Sequence, residues 1–325
     1  MTTWRDEGVD MPASRERDLL VKAARLYYLD NLSQQQVASA LGVSRSNVSR
    51  ILTAAREQGI VEIRINDPAG RELDLEERLQ AAFGVSSCRV ASVHADESAL
   101  AKVGELAAAW MLDTVKPGSS ISLSWGNTLQ AMVHAVPSGQ DLSVEVLPLV
   151  GGLSSVASEI TGEELVRELA DRLGTTYQRL HAPALLEAKA SRDTLMTEPA
   201  IAGVLDAGRK SSVAFLGIGA MGVGSSAAII ESLHLSDRDR AAFEAAKPVG
   251  DVCARFFDED GNPVHGAVED RVLAISLEDL RQIPTVVGLA AGVEKVRGVL
   301  GALRGRYVDA LICDARLAEA LLAAA

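Results

Sequence analysis

The sequence predicts an α/β protein in two parts, a winged helix-turn-helix near the N-terminus followed by a mainly parallel α/β domain. The first part is indicated by residues 33–50, SQQQVASALGVSRSNVSR, which have the spacing of two helices joined by a tight turn at Gly42. The second part is indicated by apolar strands and amphipathic helices that alternate along the rest of the chain. Charge divides the chain at the same place, because residues 14–66 carry a net charge of +3 and residues 67–325 carry −13.

The first part is predicted to be a bundle of three helices followed by a short strand. Apolar residues at helical spacing predict the first helix over residues 15–30. Ser33 begins a capping box, SQQQ, for the second helix. Ser44 is the expected N-cap of the third helix, which should end near Gly59. Apolar and polar residues alternate over Ile60–Ile65, and this pattern predicts the strand of a wing.

The third helix presents a polar face that suits DNA, with Arg45, Asn47 and Arg50 pointing outward. Although the whole chain has a net charge of −12, no acidic residue occurs between Asn31 and Arg56. Arginine can pair with guanine and asparagine with adenine, whereas serine and glutamine more often bind phosphates. Any three-helix bundle has a polar outer face, but the missing carboxylates favour DNA. The residues predicted to contact double-stranded DNA are Gln34, Gln35, Ser44, Arg45, Ser46, Asn47, Ser49 and Arg50.

After residue 66, predicted strands and helices alternate. Such a pattern predicts a mainly parallel sheet covered on both faces, and ligands of these sheets bind at the carboxyl ends of the strands. The predicted strands are Cys88–Val93, Ile121–Trp125, Val144–Leu149, Val213–Leu216, Val286–Ala290 and Ala310–Cys313. The predicted helices are Leu73–Phe83, Leu100–Thr114, one that begins near Asn127, Thr161–Leu173 and Glu294–Leu303.

The chain is divided accordingly into four segments. Residues 1–13 are polar, mixed in charge and expected to be disordered. Residues 14–66 form the helix-turn-helix unit, and the segment Asp67-Pro68-Ala69-Gly70 breaks the chain after it. Residues 67–84 are interpreted as a linker helix, and residues 85–325 form the α/β domain.

Two of the loops at strand ends are placed to hold an anion. Asn127 and Thr128 follow a glycine and open a helix, so their backbone N–H groups are available to a negative group. Lys295 lies in the first turn of the predicted helix Glu294–Leu303, where a cation opposes the helix dipole unless an anion is bound. The alternative is that Glu294 satisfies the dipole and Lys295 is simply solvated. The residues alone do not decide between the two.

The segment Gly217–Gly222 matches GxGxxG after a strand, which is one half of a dinucleotide-binding fingerprint. The other half is an acidic residue at the end of a second strand, about 20 residues later. Asp237 and Asp239 lie at that distance, but the residues before them have a helical pattern. Close approach of the backbone to another ligand, or packing of strand against helix, is the favoured explanation. No cofactor is predicted.

Composition argues against several classes of protein. No run of about 18 apolar residues occurs, so no transmembrane helix is predicted. The N-terminus lacks the apolar region of a signal peptide, which predicts a cytoplasmic protein with no membrane partner. Cys88, Cys253 and Cys313 lie far apart and are expected to be reduced and buried. The five histidines lack metal-ligand spacing, so no metal site is predicted.

The order of these motifs resembles the SorC family of bacterial transcriptional regulators, which is grouped with DeoR-type sugar-responsive regulators. The resemblance extends from about Arg15 to Ala325. It rests on LSQQQVASALGVSRSNVSRIL, SWGNTL, PLVGGL, FLGIGAMG, GDVCARFFDEDGN and VVGLAAGVEKVRGVLGALRGRYVDALICD. It implies a regulator of carbohydrate metabolism rather than an enzyme. It also implies that the second domain is similar to sugar-phosphate isomerases of the ribose-5-phosphate isomerase and glucosamine-phosphate deaminase type.

In that family the second domain binds a sugar or sugar phosphate as effector, assembles as homodimers or homotetramers, and changes the affinity for operator DNA. The resemblance assigns the phosphate to Gly126, Asn127, Thr128 and Lys295. It assigns sugar hydroxyls to Asp251, whose structural alternative is a turn cap before a hairpin. The floor of the site is assigned to Gly151, Gly152, Gly217 and Gly219. The family often has glycine where Asn127 and Ala291 stand, which predicts a reshaped phosphate loop and less room near Lys295.

Two other functions compete with a DNA-binding regulator controlled by a sugar phosphate. A sugar-phosphate isomerase with an appended DNA-binding domain would need a positioned base, for which Asp251 is the obvious candidate. A regulator that senses an unphosphorylated ligand would not need the cation of Lys295. The regulator controlled by a sugar or sugar phosphate is the favoured hypothesis, because a single carboxylate is weak evidence for an isomerase active site.

Overall fold

The structure is a computed structural model that describes residues 13–61, 70–153 and 162–325. The chain divides into two compact units, Met1–Ile65 and Asn66–Ala325, and each has a hydrophobic core of its own. The expected disordered segment 1–13 falls almost wholly outside the described residues. Most of the expected wing strand Ile60–Ile65 and the first residue of the predicted helix Thr161–Leu173 also lie outside them.

The first unit contains the predicted three helices. They are α1 (Ala13–Ala24), α2 (Gln34–Leu41) and α3 (Arg45–Glu57). The helix predicted over residues 15–30 is α-helical only as far as Ala24, and it continues as a wider π-helical turn over Arg25–Leu29. The core of the unit consists of Leu20, Ala23, Ala24, Val37, Ala38, Val48, Ile51, Leu52 and Ala55.

Local chemistry fixes the ends of these helices. Ser33 forms the predicted capping box at the start of α2. Gly42 ends α2 with a φ of +67°, a left-handed conformation that costs a residue with a side chain about 1–2 kcal/mol. The Ser44 hydroxyl accepts a hydrogen bond from the Asn47 N–H group at 3.2 Å, which caps α3. Gly59 follows α3 with a φ of +69°, the backbone that commonly terminates a helix.

The second unit is built on a parallel sheet. Along the described residues its strands are numbered β1 (Ser87–Ala91), β2 (Ser120–Leu123), β3 (Glu145–Pro148), β4 (Thr176–Tyr177), β5 (Val213–Gly217), β6 (Gly250–Val252), β7 (Arg255–Phe257), β8 (Val286–Ala290) and β9 (Ala310–Asp314). Seven of these strands pair in the order β1-β9-β8-β5-β2-β3-β4, and every neighbouring pair is parallel. β6 and β7 form a separate antiparallel hairpin. β8 and β9 are buried along their whole length, as expected for strands that are covered on both faces.

Helices connect the strands. In the described part of the second unit they are α4 (Leu73–Phe83), α5 (Ala99–Thr114), α6 (Asn127–Ala135), α7 (Gly162–Leu173), α8 (Lys189–Thr197), α9 (Pro199–Arg209), α10 (Gly224–Ser232), α11 (Asp237–Ala245), α12 (Leu277–Leu280), α13 (Val296–Arg304) and α14 (Ala315–Ala323). Short 3-10 turns cover Glu269–Arg271 and Val293–Lys295. The structure therefore confirms the mainly parallel α/β fold, and it adds β4 and several helices that the sequence pattern did not predict.

The direction of the chain through the sheet reverses between β2 and β5. From β2 the chain continues to β3 and β4 on one side, whereas from β5 it continues to β8 and β9 on the other. The loops that leave β2 and β5 therefore diverge, and a crevice opens at the carboxyl ends of these two strands. Ligands of open α/β sheets bind at such a reversal, so the topology alone points to this end of the sheet.

α4 is part of the second unit rather than a linker. Its Leu75 and Leu79 side chains are buried in the core of that unit. The Glu72 N–H group just before α4 donates a hydrogen bond to the Val90 carbonyl of β1 at 2.9 Å. The interpretation of residues 67–84 as a linker helix is therefore wrong for the described residues from 70 onward. Amphipathic spacing predicts that one face of a helix is buried, but it does not show which element that face packs against.

A buried carboxylate joins α4 to β1. Glu76 is only 4% exposed, and it accepts hydrogen bonds from the Val90 N–H group at 3.0 Å and from the Arg71 guanidinium. The Arg89 guanidinium lies 3.7 Å from the same carboxylate. Removal of one partner from a buried ion pair is destabilising, because the remaining charge is left without compensation.

We predict that Glu76→Ala lowers the free energy of unfolding by about 2–4 kcal/mol, which is near the lower end for buried pairs because both arginines are partly exposed. Glu77→Ala is the matched control, since Glu77 is exposed on the same helix and should change stability by less than about 0.5 kcal/mol. Urea unfolding of both variants measures the difference. Equal stability of the two variants would show that the Glu76 contacts do not hold α4 to the sheet.

Candidate functional site

α3 of the first unit has a buried apolar side and an exposed polar side. Val48, Ile51 and Leu52 are buried in the core of the unit. Of the residues predicted to contact DNA, Gln34 is half-buried, and the exposed ones are Gln35, Ser44, Arg45, Ser46, Asn47, Ser49 and Arg50. With Arg45 and Arg50 among them and no carboxylate between residues 31 and 56, this surface is suited to a polyanion.

The Ser44 hydroxyl caps the N-terminus of α3. It accepts the Asn47 N–H group and lies 3.0 Å from the Ser46 hydroxyl. Its side chain therefore serves first as the N-cap of α3, which orients the start of the helix that carries the other exposed residues.

In the second unit, a cavity of about 370 Å³ lies at the carboxyl ends of β2, β5 and β8. This is the crevice at which the direction of the chain reverses. The sequence-predicted residues that line it are Gly126, Asn127, Thr128, Gly217, Gly219, Asp251 and Lys295. The lining also includes Ala99, Leu100, Trp125, Ser225, Cys253 and Glu294, which the sequence did not assign to a site.

The loop after β2 presents the N-terminus of α6 to this cavity. Gly126 precedes the helix with a φ of +124°, which strongly favours glycine, and its position provides no side-chain cap. The first N–H groups of α6, starting at Asn127 and Thr128, have no acceptor within the helix. The Thr128 hydroxyl donates a hydrogen bond to the Leu289 carbonyl at 3.5 Å and so connects the start of α6 to β8. The end of α6 is therefore a positively polarised wall of the cavity.

The structure places Lys295 differently from the sequence prediction. Instead of one helix over Glu294–Leu303, a 3-10 turn covers Val293–Lys295 and α13 begins only at Val296, so Lys295 precedes the first α-helical turn. Among the described residues, no hydrogen bond or ion pair of the Lys295 ammonium is found. Burial lowers the pKa of Lys295, whereas the charges of Asp251 and Glu294 raise it. A cation without a direct counter-ion thus faces the cavity.

Asp251 lies within β6, not at a turn before the hairpin as the structural alternative supposed. It is 5% exposed, and the Ser226 hydroxyl of α10 donates a hydrogen bond to Asp251 Oδ1 at 2.6 Å. Burial raises the pKa of Asp251, while the Ser226 hydroxyl, the Lys295 charge and the Ala254 N–H group lower it. The site therefore combines a buried hydrogen-bond acceptor with a cation from another loop.

The floor of the cavity is closely packed around Gly219. A Cβ atom on Gly219 would lie 1.9 Å from Asp251 Oδ1 and 2.3 Å from the Ser226 hydroxyl oxygen. A Cβ atom on Gly250 or Gly298 would lie 2.5 Å or 2.2 Å from the Gly219 carbonyl oxygen. The loop after β5, the hairpin and α13 therefore meet backbone to backbone, and side chains would separate them.

Gly151 and Gly152 do not line this cavity. They follow β3, on the far side of β2 from β5. The Gly151 N–H group donates to the Leu273 carbonyl at 3.0 Å, and a Cβ atom there would lie 2.6 Å from the Ala182 carbonyl oxygen. Their assignment to the floor of the site lacks structural support, because the close approach that Gly151 permits is to a neighbouring segment of the chain.

The dinucleotide fingerprint is incomplete. Residues 218–236 are all described, and they contain α10 but no strand. Asp237 and Asp239 lie in the first turn of α11, where they complement the helix dipole. Gly217 and Gly219 therefore permit close packing beneath the cavity, because Cβ atoms there would meet the Trp125 carbonyl oxygen and the Ser226–Asp251 pair.

Three further observations concern the described residues. They contain no group of three or more His, Cys, Asp or Glu side chains that could hold a metal ion. None of their helices is both long enough and apolar enough to cross a lipid bilayer. Cys88, Cys253 and Cys313 are free and buried.

Sequence reasoning missed two residues that shape the site. Ser226 was not assigned because its partner Asp251 lies 25 residues away. Arg255, buried in β7, donates hydrogen bonds to the carbonyl groups of Glu269, Val272, Ala274 and Ile275. These bonds fasten the hairpin that carries Asp251 to the 269–275 segment. No local spacing rule pairs an arginine with distant carbonyl groups.

Comparison with known proteins agrees with this arrangement. Residues 67–323 match the family model of a sugar-binding domain, and residues 18–76 match that of a Crp-like helix-turn-helix domain. The sorbitol operon regulator of Klebsiella pneumoniae is 33% identical over 316 residues, which cover 96% of this chain and 100% of that protein. The deoxyribonucleoside regulator of Bacillus subtilis is 31% identical over 310 residues, which cover 94% and 98% of the two chains.

A solved structure is similar along nearly the whole chain. The full-length sorbitol operon regulator SorC from Klebsiella pneumoniae matches with a TM-score of 0.72 and 32% identity, and the match covers 95% of this chain and 100% of that one. These relatives are regulators of transcription and not enzymes, so the isomerase alternative is not supported. The chain belongs to the SorC family of sugar-binding transcriptional regulators.

Proposed function

We propose that the affinity of this regulator for operator DNA is controlled by a phosphorylated sugar bound in the cavity of the second unit. One observation carries the proposal: the crevice at the reversal of the sheet collects the uncapped end of α6, the Lys295 ammonium and the Asp251 carboxylate around a single volume. Two relatives are named as a sorbitol operon regulator and a deoxyribonucleoside regulator, and these names support a ligand of the sugar class.

The phosphate group would lie between α6 and Lys295. The N–H groups of Asn127 and Thr128 supply directed donors, and the ammonium supplies a full positive charge. Lys295 lies at the N-terminal end of α13, where its charge opposes the positive end of the helix dipole. A bound anion would compensate both positive groups. The Asp251 carboxylate would accept hydrogen bonds from sugar hydroxyls, and Gly217 and Gly219 would form the floor beneath the ligand. At about 370 Å³ the cavity is near the small end of ligand sites, which suits a single sugar.

For DNA, α3 would enter the major groove. Arg45, Asn47 and Arg50 are the candidates for base edges, whereas Gln34, Gln35 and the serines of α3 are candidates for phosphates. One helix-turn-helix reads one half-site, so we propose that the protein works as a homodimer or homotetramer. Ligand binding would shift the population of states that differ in the spacing of paired recognition helices.

A thermal-shift screen tests the ligand class. The panel contains aldose and ketose phosphates of five and six carbons, the corresponding unphosphorylated sugars, and inorganic phosphate. A ligand present at 100 times its Kd stabilises the folded domain by about 2.7 kcal/mol, which gives a measurable rise in Tm. We expect at least one sugar phosphate to exceed its unphosphorylated partner. No shift with any sugar or sugar phosphate would refute the proposed effector class.

We predict that Lys295→Ala weakens binding of the best sugar phosphate from that panel by about 10- to 100-fold, since a charge-assisted hydrogen bond contributes about 1.5–3 kcal/mol. Arg297→Ala is the control, because that side chain is exposed and does not line the cavity. Isothermal titration measures both variants. An unchanged Kd in Lys295→Ala would place the negative group elsewhere or show that the ligand is neutral.

We predict that Arg50→Ala weakens binding to the operator by at least tenfold and lowers the slope of log K against log salt, because a contact of the α3 face with DNA is lost. Arg78→Ala, which removes an exposed arginine of the second unit, should leave both quantities unchanged. Fluorescence anisotropy over a series of salt concentrations separates the two variants. Wild-type affinity and slope in Arg50→Ala would mean that α3 is not the recognition surface.

A further inference from the structure

Beneath the cavity, a serine and a carboxylate form a buried hydrogen-bonded pair. Ser226 and Asp251 are 0% and 5% exposed, and the Ser226 hydroxyl oxygen lies 2.6 Å from Asp251 Oδ1. The two residues come from different elements, α10 and β6. Asp251 lines the cavity, whereas Ser226 does not. The serine therefore acts on the space above it only through the carboxylate.

We infer that Ser226 is a positioning residue: its hydroxyl fixes the Asp251 carboxylate so that this group can accept hydrogen bonds from the hydroxyl groups of a sugar. The inference rests on the proposed function of the cavity and adds to it a residue outside the ligand's reach.

The geometry leaves the carboxylate little freedom. A Cβ atom on Gly219 would lie within 2.3 Å of both the Asp251 Oδ1 and Ser226 hydroxyl oxygens, so only glycine leaves room for the pair. The Gly219 N–H group in turn donates to the Asp251 main-chain carbonyl at 2.8 Å. On its other side, Arg255 fastens the hairpin through carbonyl acceptors. With Oδ1 committed to Ser226, the acceptor capacity that remains on the carboxylate is available to a ligand.

Ionisation of Asp251 also depends on this bond. Among the described groups that face Asp251, the charge of Lys295 and the hydrogen bonds from Ser226 and the Ala254 N–H group lower its pKa, whereas burial raises it above the ordinary value. The thiol of Cys253 is the other titratable neighbour, and burial keeps its pKa well above the ordinary value. Loss of the serine hydroxyl would therefore raise the pKa of Asp251 further.

The first test needs no ligand. Because Asp251 has a higher pKa folded than unfolded, ionisation costs stability as the pH rises through the folded pKa, and Ser226→Ala extends that cost to higher pH. We expect the Tm of Ser226→Ala to fall below wild type by about 2–4 °C at pH 8, and by clearly less at a lower pH at which Asp251 is protonated in both proteins. In the Asp251→Asn background the pH dependence of this difference should vanish. A difference that is the same at both pH values would overturn the inference.

The second test uses the best sugar phosphate of the thermal-shift panel and inorganic phosphate as probes. Ser226→Ala should weaken the sugar phosphate by about tenfold and leave inorganic phosphate unchanged, since the phosphate contacts lie on other loops. Ser226→Thr, which keeps the hydroxyl, should restore at least part of the affinity. Ser232→Ala is the control, because it removes a serine hydroxyl bond from the same helix away from the cavity.

Two outcomes of the second test count against a positioning role. The first is that Ser226→Ala weakens the binding of the sugar phosphate and of inorganic phosphate equally. The second is that Ser232→Ala weakens the binding of the sugar phosphate as much as Ser226→Ala does. Either result would mean that Ser226 has only a structural role. If no sugar phosphate binds the wild-type protein, the proposed function fails, but the pH-dependent Tm still decides whether Ser226 controls Asp251.

Discussion

The close approach of three backbone segments at Gly219 is the constraint on which the rest of the second unit depends. The Gly219 carbonyl oxygen sits where side chains on Gly250 or Gly298 would stand. Without this contact the hairpin could not rest on the loop after β5, and Asp251 would not reach the crevice of the sheet. The parallel sheet supplies the crevice, but the glycine contact brings a group from outside the sheet to its rim. The position of Asp251 at the rim of the crevice thus depends on glycines, which have no side chain that could contact a ligand.

The sequence predicted the features that depend on repeating patterns of apolar residues and those that depend on neighbouring residues in the chain. Strands buried on both faces appear as continuous apolar runs, so β2, β3, β5, β8 and β9 could be placed within a few residues. Capping at Ser33 and the turn at Gly42 follow from side-chain chemistry within four residues. The strands of the hairpin have three residues each, too few to show a period, so the sequence suggested a hairpin only as part of the structural alternative for Asp251.

Parts of the site could not be predicted because they depend on distance through space. The Ser226–Asp251 bond spans 25 residues, and the bonds of Arg255 reach 14 to 20 residues along the chain. The glycines at 151 and 152 have the sequence signature of a ligand loop, yet the first is required by a neighbouring segment. A glycine in the sequence indicates that another group approaches the backbone closely. Only the fold shows whether that group belongs to a ligand or to the protein itself.

The second unit includes the segment before α4, which covers one edge of its sheet. Residues 70–72 pair with β1 through the Glu72 N–H to Val90 carbonyl bond and the Ser92 N–H to Gly70 carbonyl bond, and so cover the outer strand of the sheet. A fragment that started at residue 85 would expose β1 as an unpaired edge, which is a template for strand addition between molecules. The short segment that follows the DNA-binding unit therefore also protects the sheet against edge-to-edge aggregation.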